Sequence, residues 1–323
     1  MTDEAVFAFG LDGKGGGTPL RGEAISQHIK DDQLAWVHFD LNNEQAQKWI
    51  RKELSYLDPF VAEALLAEET RPRMTQLDDG TILILRGVNF NDDQKQEDMI
   101  SIRMWIDANR IISVQRQPLR ATQAIVNKIE KGKGPKDAGG FITLMVSQLF
   151  SRFEVVLSDL DEETDNCEER ILENADPSQR QRIINLRKKS ISYRRHMSPQ
   201  KDAVFQLKSA ELSWISDVQR RQLNEYYNYV LRYVEDLDTI RERAQIVKDE
   251  LASQLSDRLN KNTYVLSVIA AIFLPLGFLT GLLGINIGGI PGTESSMAFT
   301  VFCIMLTIVV AVQIWVFKKL KWF

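Results

Sequence analysis

Apolar residues form two uninterrupted segments near the C-terminus, and these dominate the hydrophobic pattern of the chain. Between Asn262 and Phe317 the one charged residue is Glu294. Segments 264–284 and 298–317 are each about 20 residues long, which is enough for a helix to cross ~30 Å of hydrocarbon. We therefore expect two transmembrane helices, joined by a short loop at 285–297.

Basic residues lie on one side of this pair. They precede the first segment (Arg258, Lys261) and follow the second in the tail 318–323 (Lys318, Lys319, Lys321), whereas the loop contains neither Lys nor Arg. The positive-inside rule then predicts that both termini are cytoplasmic and the loop external. The N-terminal residues form no long apolar run, so no signal peptide is expected. The predicted location is the cell inner (plasma) membrane, with residues 1–262 in the cytoplasm.

Shorter hydrophobic patterns fill residues 1–140. Segments rich in β-branched and aromatic residues, bounded by turn residues, predict strands, and segments with helical spacing predict helices. The strands are AVFAFGLDG, LAWVHFDL, TILILRGVNF, ISIRMWID and RIISVQR, and the helices are EQAQKWIRKEL and PFVAEALLAE. Turns are predicted at 78–80 and 107–109. This region is therefore a predicted cytoplasmic α/β domain that ends in the linker KGKGPKDAGG at 131–140.

Long helices are predicted next, because glycine is absent between Phe141 and Leu274. Segment 141–176 has ten acidic residues against two basic, and segment 177–212 has nine basic against two acidic. We predict an antiparallel helix pair over 141–212 in which these opposite charges face each other. A stalk helix over 213–263, starting near Ser213 or Ser216, then continues into the first transmembrane helix. The predicted class is an α+β membrane protein.

Acidic residues on the first helix of this pair allow a second interpretation. Carboxylates clustered on a helix surface attract divalent cations even where they form no built site. The candidate cytoplasmic cation-attracting acids are Asp159, Asp161, Glu162, Glu163 and Asp165.

One face of the first transmembrane helix carries small and hydroxylated residues. A 3–4 spacing, typical of residues that face a common axis, selects Thr263, Ser267, Ala270, Leu274, Gly277, Gly281 and Gly284. The other positions of the helix are mostly bulky and apolar. The stripe either allows close helix packing of the small-xxx-small kind or lines a water-filled path that narrows at Leu274.

The stretch GINIGGIPG at 284–292 favours the second interpretation. Irregular backbone at membrane depth is tolerated where it is buried in protein or lines an aqueous cavity. Asn286 places an amide oxygen at the outer mouth, and one such oxygen per subunit forms a ring that can hold a hydrated cation. Gly284, Ile285 and Asn286 are therefore the candidate selectivity filter.

Two further residues near the path have alternative interpretations. Glu294 either attracts cations to the external mouth or is a solvated loop residue. Pro275 has no N–H and leaves a backbone carbonyl free one turn earlier. That carbonyl marks either a packing kink or a polar point in the path.

Composition argues against several other functions. The net charge of −4 gives no basic footprint for nucleic acid. Cys167 and Cys303 fall in segments that the predicted topology keeps apart, so a disulfide framework is not expected. The glycine-rich GLDGKGGGT at 10–18 lacks the phosphate-loop spacing, and no catalytic set can be placed. Neither an enzyme nor a bound cofactor is expected.

The arrangement resembles the CorA-type (2-TM-GxN) metal ion transporters, and within them the zinc-transporting branch. The resemblance covers nearly the whole chain through EETRPRM at 68–74, GKGPKDAGGF at 132–141, RRHMSPQ at 194–200 and FLPLGFLTGLLGINIGGIPG at 273–292. Magnesium members usually carry G-M-N, whereas the middle residue here is Ile285. The resemblance implies a homopentameric funnel in the lipid bilayer, with pore-lining first spans and a Gly284–Ile285–Asn286 filter. It also implies transport of divalent cations, with zinc favoured and proton coupling as an added expectation, and it leaves the direction of transport open.

Residue chemistry alone does not select zinc. Zinc prefers His and Cys ligands, but His28, His38 and His196 belong to the predicted cytoplasmic part, and the stripe offers oxygen ligands. No direct metal ligands can be assigned, and carriage of a hydrated ion is expected. Two alternatives stay open: a magnesium or cobalt channel of the same family, and a non-conducting, membrane-anchored cation sensor or scaffold.

Overall fold

The computed structural model describes residues 5–31, 33–284, 292 and 295–319. The chain divides into two compact units, Met1–Asp249 and Glu250–Phe323. The first unit contains a sheet and most of the helices. The second contains the end of one very long helix and the C-terminal helix.

A seven-stranded sheet is the centre of the first unit. Its strands are β1 Phe7–Leu11, β2 Gly17–Pro19, β3 Ala35–Asp40, β4 Arg73–Leu77, β5 Gly80–Gly87, β6 Ile100–Ile106 and β7 Arg110–Gln115. Their order is β2-β1-β3-β7-β6-β5-β4. Only β3 and β7 pair in parallel, with Ala35 opposite Arg110, and the other neighbours pair antiparallel.

Alternate residues of the central strands pack on opposite faces of the sheet. In β3, Val37 and Phe39 belong to the core on one face. Trp36 instead contacts Phe141 on the other face, with ring centroids 4.9 Å apart. Helices cover both faces, and the central strands are therefore nearly continuous apolar runs.

Eight helices complete the described part of the chain. They are α1 Glu23–Lys30, α2 Glu44–Glu53, α3 Pro59–Leu66, α4 Arg120–Glu130, α5 Ala138–Glu173, α6 Gln179–Ser209, α7 Asp217–Gly284 and α8 Ala298–Lys319. Among α1–α6, three begin with a side-chain cap. Asn43 accepts from the Gln45 N–H, Asp58 from the Phe60 N–H and Asp137 from the Gly140 N–H, at 2.9, 2.8 and 2.6 Å.

Most predicted elements are confirmed, with four omissions and one shifted boundary. The five predicted strands correspond to β1, β3, β5, β6 and β7, and both predicted turns lie between paired strands. Strands β2 and β4 and helices α1 and α4 were not predicted. The linker prediction was wrong at its end, because α5 begins at Ala138. The stalk helix begins at Asp217, directly after Ser216, as expected. The division of the chain into seven segments stays a prediction.

Helices α5 and α6 form the predicted antiparallel pair with facing charges. Glu163 of α5 lies 3.3 Å from the Lys189 Nζ and 3.5 Å from the Arg182 Nε of α6. All three side chains are partly exposed, so each ion pair contributes at most about 1 kcal/mol. Gln200 attaches α6 to the sheet more directly, because its side-chain oxygen accepts the Arg86 N–H of β5 at 2.6 Å.

Candidate ion pathway

Three helices in the described part of the chain are long and apolar enough to cross a bilayer. The apolar part of α5 is more than half buried inside the first unit, so the sheet and helices already cover it. In the apolar parts of α7 and α8 no residue is fully buried. These two helices correspond to the predicted membrane spans.

Within the second unit, α8 covers one face of α7. The half-buried residues of α7 recur at helical spacing: Val268, Ala271, Ile272, Leu276 and Leu279. A matching half-buried set lies on α8: Phe302, Leu306, Val309, Val310, Gln313 and Val316. The direct contact between Gln313 and Ala271 shows that these two faces meet.

That contact satisfies the carbonyl that Pro275 leaves free. In a regular helix the N–H of residue 275 bonds the carbonyl of Ala271, and proline has no N–H. The side-chain amide of Gln313 donates to this carbonyl at 3.2 Å and replaces the missing bond. The carbonyl is therefore part of the packing between α7 and α8, which decides between the two interpretations of Pro275.

The small-residue stripe lies on the opposite face of α7. At about 100° per residue, its centre is about 160° from the centre of the half-buried face. Every member is exposed within one chain, and Leu274 at 70% is among the most exposed large residues of the helix. Contact with α8 therefore does not require small residues at these positions.

The glycines of the stripe support this conclusion independently. A Cβ atom added at Gly277, Gly281 or Gly284 would meet nothing within 4 Å. Ser267 donates its hydroxyl to the Thr263 carbonyl at 2.8 Å, which leaves lone pairs of its oxygen available as acceptors. The stripe therefore has open space beside its glycines and exposed oxygen atoms that can act as hydrogen-bond acceptors.

Most of the predicted filter lies outside the described residues. Gly284 is the last residue of α7, while Ile285, Asn286 and Glu294 are not described. Gly292, in the connecting segment, has φ +90°, a conformation that side-chain-bearing residues rarely adopt. This agrees with the expectation that glycine allows the turn between the two spans.

The acidic residues of α5 have protein partners that the sequence did not reveal. Arg243 of α7 pairs with Asp161, Asp165 and Glu168, and hydrogen bonds to Glu168 and Asp165 raise the pKa of Arg243 above its usual range. Glu163 pairs with α6, as described above. Three of the five proposed cation-attracting acids are thus compensated by side chains, whereas Asp159 and Glu162 are exposed without a recorded ion pair.

No group of three or more His, Cys, Asp or Glu side chains suited to a metal ion occurs among the described residues. His38 is fully buried in β3, where its Nδ1 lies 2.7 Å from the Ser113 Oγ and burial lowers its pKa to about 3. Burial, with the charges of Arg86 and Arg195, lowers the pKa of His196 to about 4. Both histidines are therefore neutral at pH 7.

Comparison with known proteins identifies the family. The family described as CorA-like Mg2+ transporter protein matches residues 31–319. The chain belongs to this family. The zinc transport protein ZntB of Yersinia enterocolitica is 34% identical over 100% of this chain and 97% of its own length. The divalent cation transporter CmaX of Pseudomonas aeruginosa is 36% identical over 98% and 96%.

Solved structures of CorA-like proteins have the same fold. Full-length CmaX, 34% identical, matches with a TM-score of 0.87 over 100% of this chain and 99% of that chain. The CorA magnesium transporter of Methanocaldococcus jannaschii matches with a TM-score of 0.78 over 98% of each chain at 17% identity, which shows the fold alone. The predicted architecture is confirmed: a cytoplasmic-type α/β domain, a long helix and two C-terminal helices suited to a membrane. This CorA-like chain is a membrane protein of a divalent cation transporter family.

Proposed function

We propose that this chain transports zinc across the cell inner membrane through a pore on the axis of a homopentamer. The observation that carries the proposal is the position of the small-residue stripe on α7, on the face opposite α8. No described residue of the same chain covers that face, and its glycines border open space.

Cyclic symmetry explains how such a face becomes a pore. In a ring of identical subunits each α7 presents the same face to the axis. With the stripe toward the axis, α8 lies on the outer side, where its remaining apolar residues face lipid. The exposed oxygens of Thr263 and Ser267 then line the path, and Leu274 forms its narrowest apolar ring.

Oxygen ligands at these positions suit an ion that keeps most of its water. The stripe contains no His, Cys or carboxylate, so tight tetrahedral zinc binding is not part of the proposed mechanism. A ring of Asn286 amide oxygens at the outer mouth, with Gly284 and Ile285, is the proposed filter. Glu294 concentrates cations outside, and both termini are cytoplasmic.

Two observations favour zinc over magnesium. The ZntB relatives are zinc transport proteins by name and match the full chain at 34% identity, and Ile285 replaces the usual methionine of the magnesium members. A magnesium or cobalt channel of the same family is the second candidate, because a path lined by oxygen atoms suits hard cations.

Flux through proteoliposomes tests the proposal. The purified full-length chain is reconstituted, and zinc and magnesium fluxes are measured with and without a pH gradient for the wild type and Asn286→Ala. Asn262→Ala, the same substitution on α7 but off the stripe, is the matched control. We expect zinc flux that is largely lost in Asn286→Ala, because the ring of amide oxygens is removed from the outer mouth, and that is unchanged in Asn262→Ala.

Other outcomes separate the alternatives. Magnesium flux without zinc flux identifies the second candidate. Zinc flux that is equal in Asn286→Ala and the wild type contradicts the proposed filter. Absence of flux for every ion, from a correctly assembled protein, favours the sensor or scaffold. A rise of zinc flux with an inward proton gradient is the expected sign of proton coupling.

A further inference from the structure

A second candidate site lies in the first unit, in a cleft of about 1050 Å³ between the β4–β5–β6 edge of the sheet and α6. Basic side chains dominate its walls, seven against four acidic ones. The basic residues are Arg71, Arg73, Arg86, Lys95, Arg103, Arg116 and Arg195, and the acidic residues are Glu68, Glu69, Asp93 and Asp98. The site is independent of the proposed ion pathway.

The two most buried arginines are held by neutral acceptors. Arg86 donates to the carbonyls of Met99 and Thr70 at 2.6 and 2.7 Å. Arg103 is 3% exposed and donates to the carbonyls of Leu65 and Glu68 at 2.8 and 3.3 Å. These bonds fix the guanidinium groups in place but leave their positive charge uncompensated.

Carboxylates of the described residues do not neutralise this charge. None of the six arginines of the cleft forms an ion pair with a described Asp or Glu, whereas Arg110, Arg182, Arg194 and Arg243 elsewhere in the same unit do. Burial and then neighbouring arginines lower the pKa of Arg103 to about 10, and burial and Arg195 lower that of Arg86. The charge of Glu69 opposes part of this shift at Arg86, and the cleft keeps an excess of positive charge that favours anions.

Two N–H groups in the cleft also lack acceptors. The Nε atoms of Arg86 and Arg116 are buried and have no hydrogen-bond partner in the described part of the chain. A buried donor without an acceptor is destabilising, and more so when it is charged. Fixed, unpaired guanidinium groups in a concave site are the usual means of binding phosphate, because their planar N–H donors match phosphate oxygens in pairs.

We propose that this cleft binds a compact, soluble anion that carries two or more phosphate groups. Several phosphates match the several arginines. The described lining contains no Phe, Tyr or Trp, and its one ring is the half-buried imidazole of His196, so the arginines rather than a stacking surface provide most of the recognition. Because Arg195 lies on α6 and Arg86 and Arg103 on the sheet, the ligand bridges α6 and the sheet.

Titration calorimetry on the full-length chain in detergent tests the proposal. The probes are inorganic pyrophosphate and triphosphate in metal-free buffer, with sulfate at equal ionic strength as the comparison. The variants are Arg195→Gln, an exposed position on α6, and Arg116→Gln. Arg221→Gln, an exposed arginine outside the cleft, is the matched control. Thermal unfolding without ligand establishes that each variant is folded.

The expected result is saturable binding of pyrophosphate or triphosphate that weakens at least about tenfold in each cleft variant, the scale of one charge-assisted hydrogen bond, and is unchanged in Arg221→Gln. Absence of saturable binding to the wild type overturns the proposal. Equal binding of sulfate, or equal weakening in the control, also overturns it, because general charge attraction then explains the result.

Discussion

The bond from Gln313 to the Ala271 carbonyl gives a prediction about the stability of the membrane helices. Gln313→Leu removes the donor at 3.2 Å and leaves in apolar surroundings a carbonyl that Pro275 cannot satisfy. Interhelical hydrogen bonds in membrane proteins contribute on average about 0.6 kcal/mol, with the largest near 1.7. Because this carbonyl has no alternative donor in its own helix, we expect a loss of about 1 kcal/mol.

A double-mutant cycle isolates this contribution. Pro275→Ala restores the N–H that bonds the Ala271 carbonyl within α7. In that background Gln313→Leu removes a bond that is no longer needed, and it also removes the Gln313 Oε1, which is buried without a partner in the described residues. The cost of Gln313→Leu should therefore disappear or change sign. Unfolding in mixed detergent micelles measures the free energy of unfolding of the wild type, the two single variants and the double variant.

Equal costs of Gln313→Leu in the two backgrounds would refute the reasoning. The side chain would then stabilise α8 by packing or by another contact, and the proline and the glutamine would be independent. A coupling energy of about 1 kcal/mol between the two positions, by contrast, is what a shared carbonyl requires.

Two further predictions concern the stripe and the sheet. Gly281→Leu fills the open face of α7 and should abolish zinc flux in proteoliposomes while the oligomer stays intact. Phe278→Leu replaces one bulky side chain with another and should retain the flux. Zinc flux through Gly281→Leu would contradict the axial position of the stripe. His38 is neutral when folded, with a pKa of about 3 against 6.5 when unfolded, so the unfolded state binds one more proton as the pH falls below 6.5. Each pH unit between 6.5 and 3 should cost about 1.4 kcal/mol of stability, and chemical denaturation of His38→Gln at pH 7 and pH 5 should show a smaller acid loss than the wild type.

Local patterns predicted the elements whose signal is local. The two membrane spans and the five strands were predicted because a run of about twenty apolar residues, or a short β-branched run between turns, specifies each of them without contacts to distant residues. Strands β2 and β4 are short or partly exposed and acquire their conformation from the strands beside them. Helix α4 buries Ala121, Thr122, Ile125, Val126 and Ile129 at helical spacing, so its local signal was present in the sequence and was overlooked.

The start of α5 illustrates a non-local cause. Gly139 and Gly140 indicated a linker, yet both lie inside the helix. A Cβ atom at Gly139 would lie 2.7 Å from the Trp214 carbonyl, and also against the Gln219 side chain. The glycine is there because another segment packs closely against α5. No pattern within ten residues could have revealed that segment.

For the candidate pathway, too, the sequence predicted some features and not others. The small-residue stripe was visible in the sequence, but its position opposite α8 depends on which face of α7 the second helix covers. Gln313 could have been found, since a lone amide in an apolar span together with a proline in the other span suggests a bond to the freed carbonyl. Arg243 could not, because its carboxylate partners lie 75–82 residues earlier in the chain.

The parallel pairing of β3 with β7 has a consequence for the order of folding. Strands β4 to β7 form an antiparallel meander of neighbours in sequence, and β1 forms a second antiparallel group with β2 and β3 on its two sides. The register Ala35–Arg110 joins the two groups across 75 residues. Closing so long a loop costs conformational entropy that no local contact offsets. Each group can therefore form while the other is still unstructured, and we expect the joining of β3 to β7 to be the late step that turns two small sheets into one.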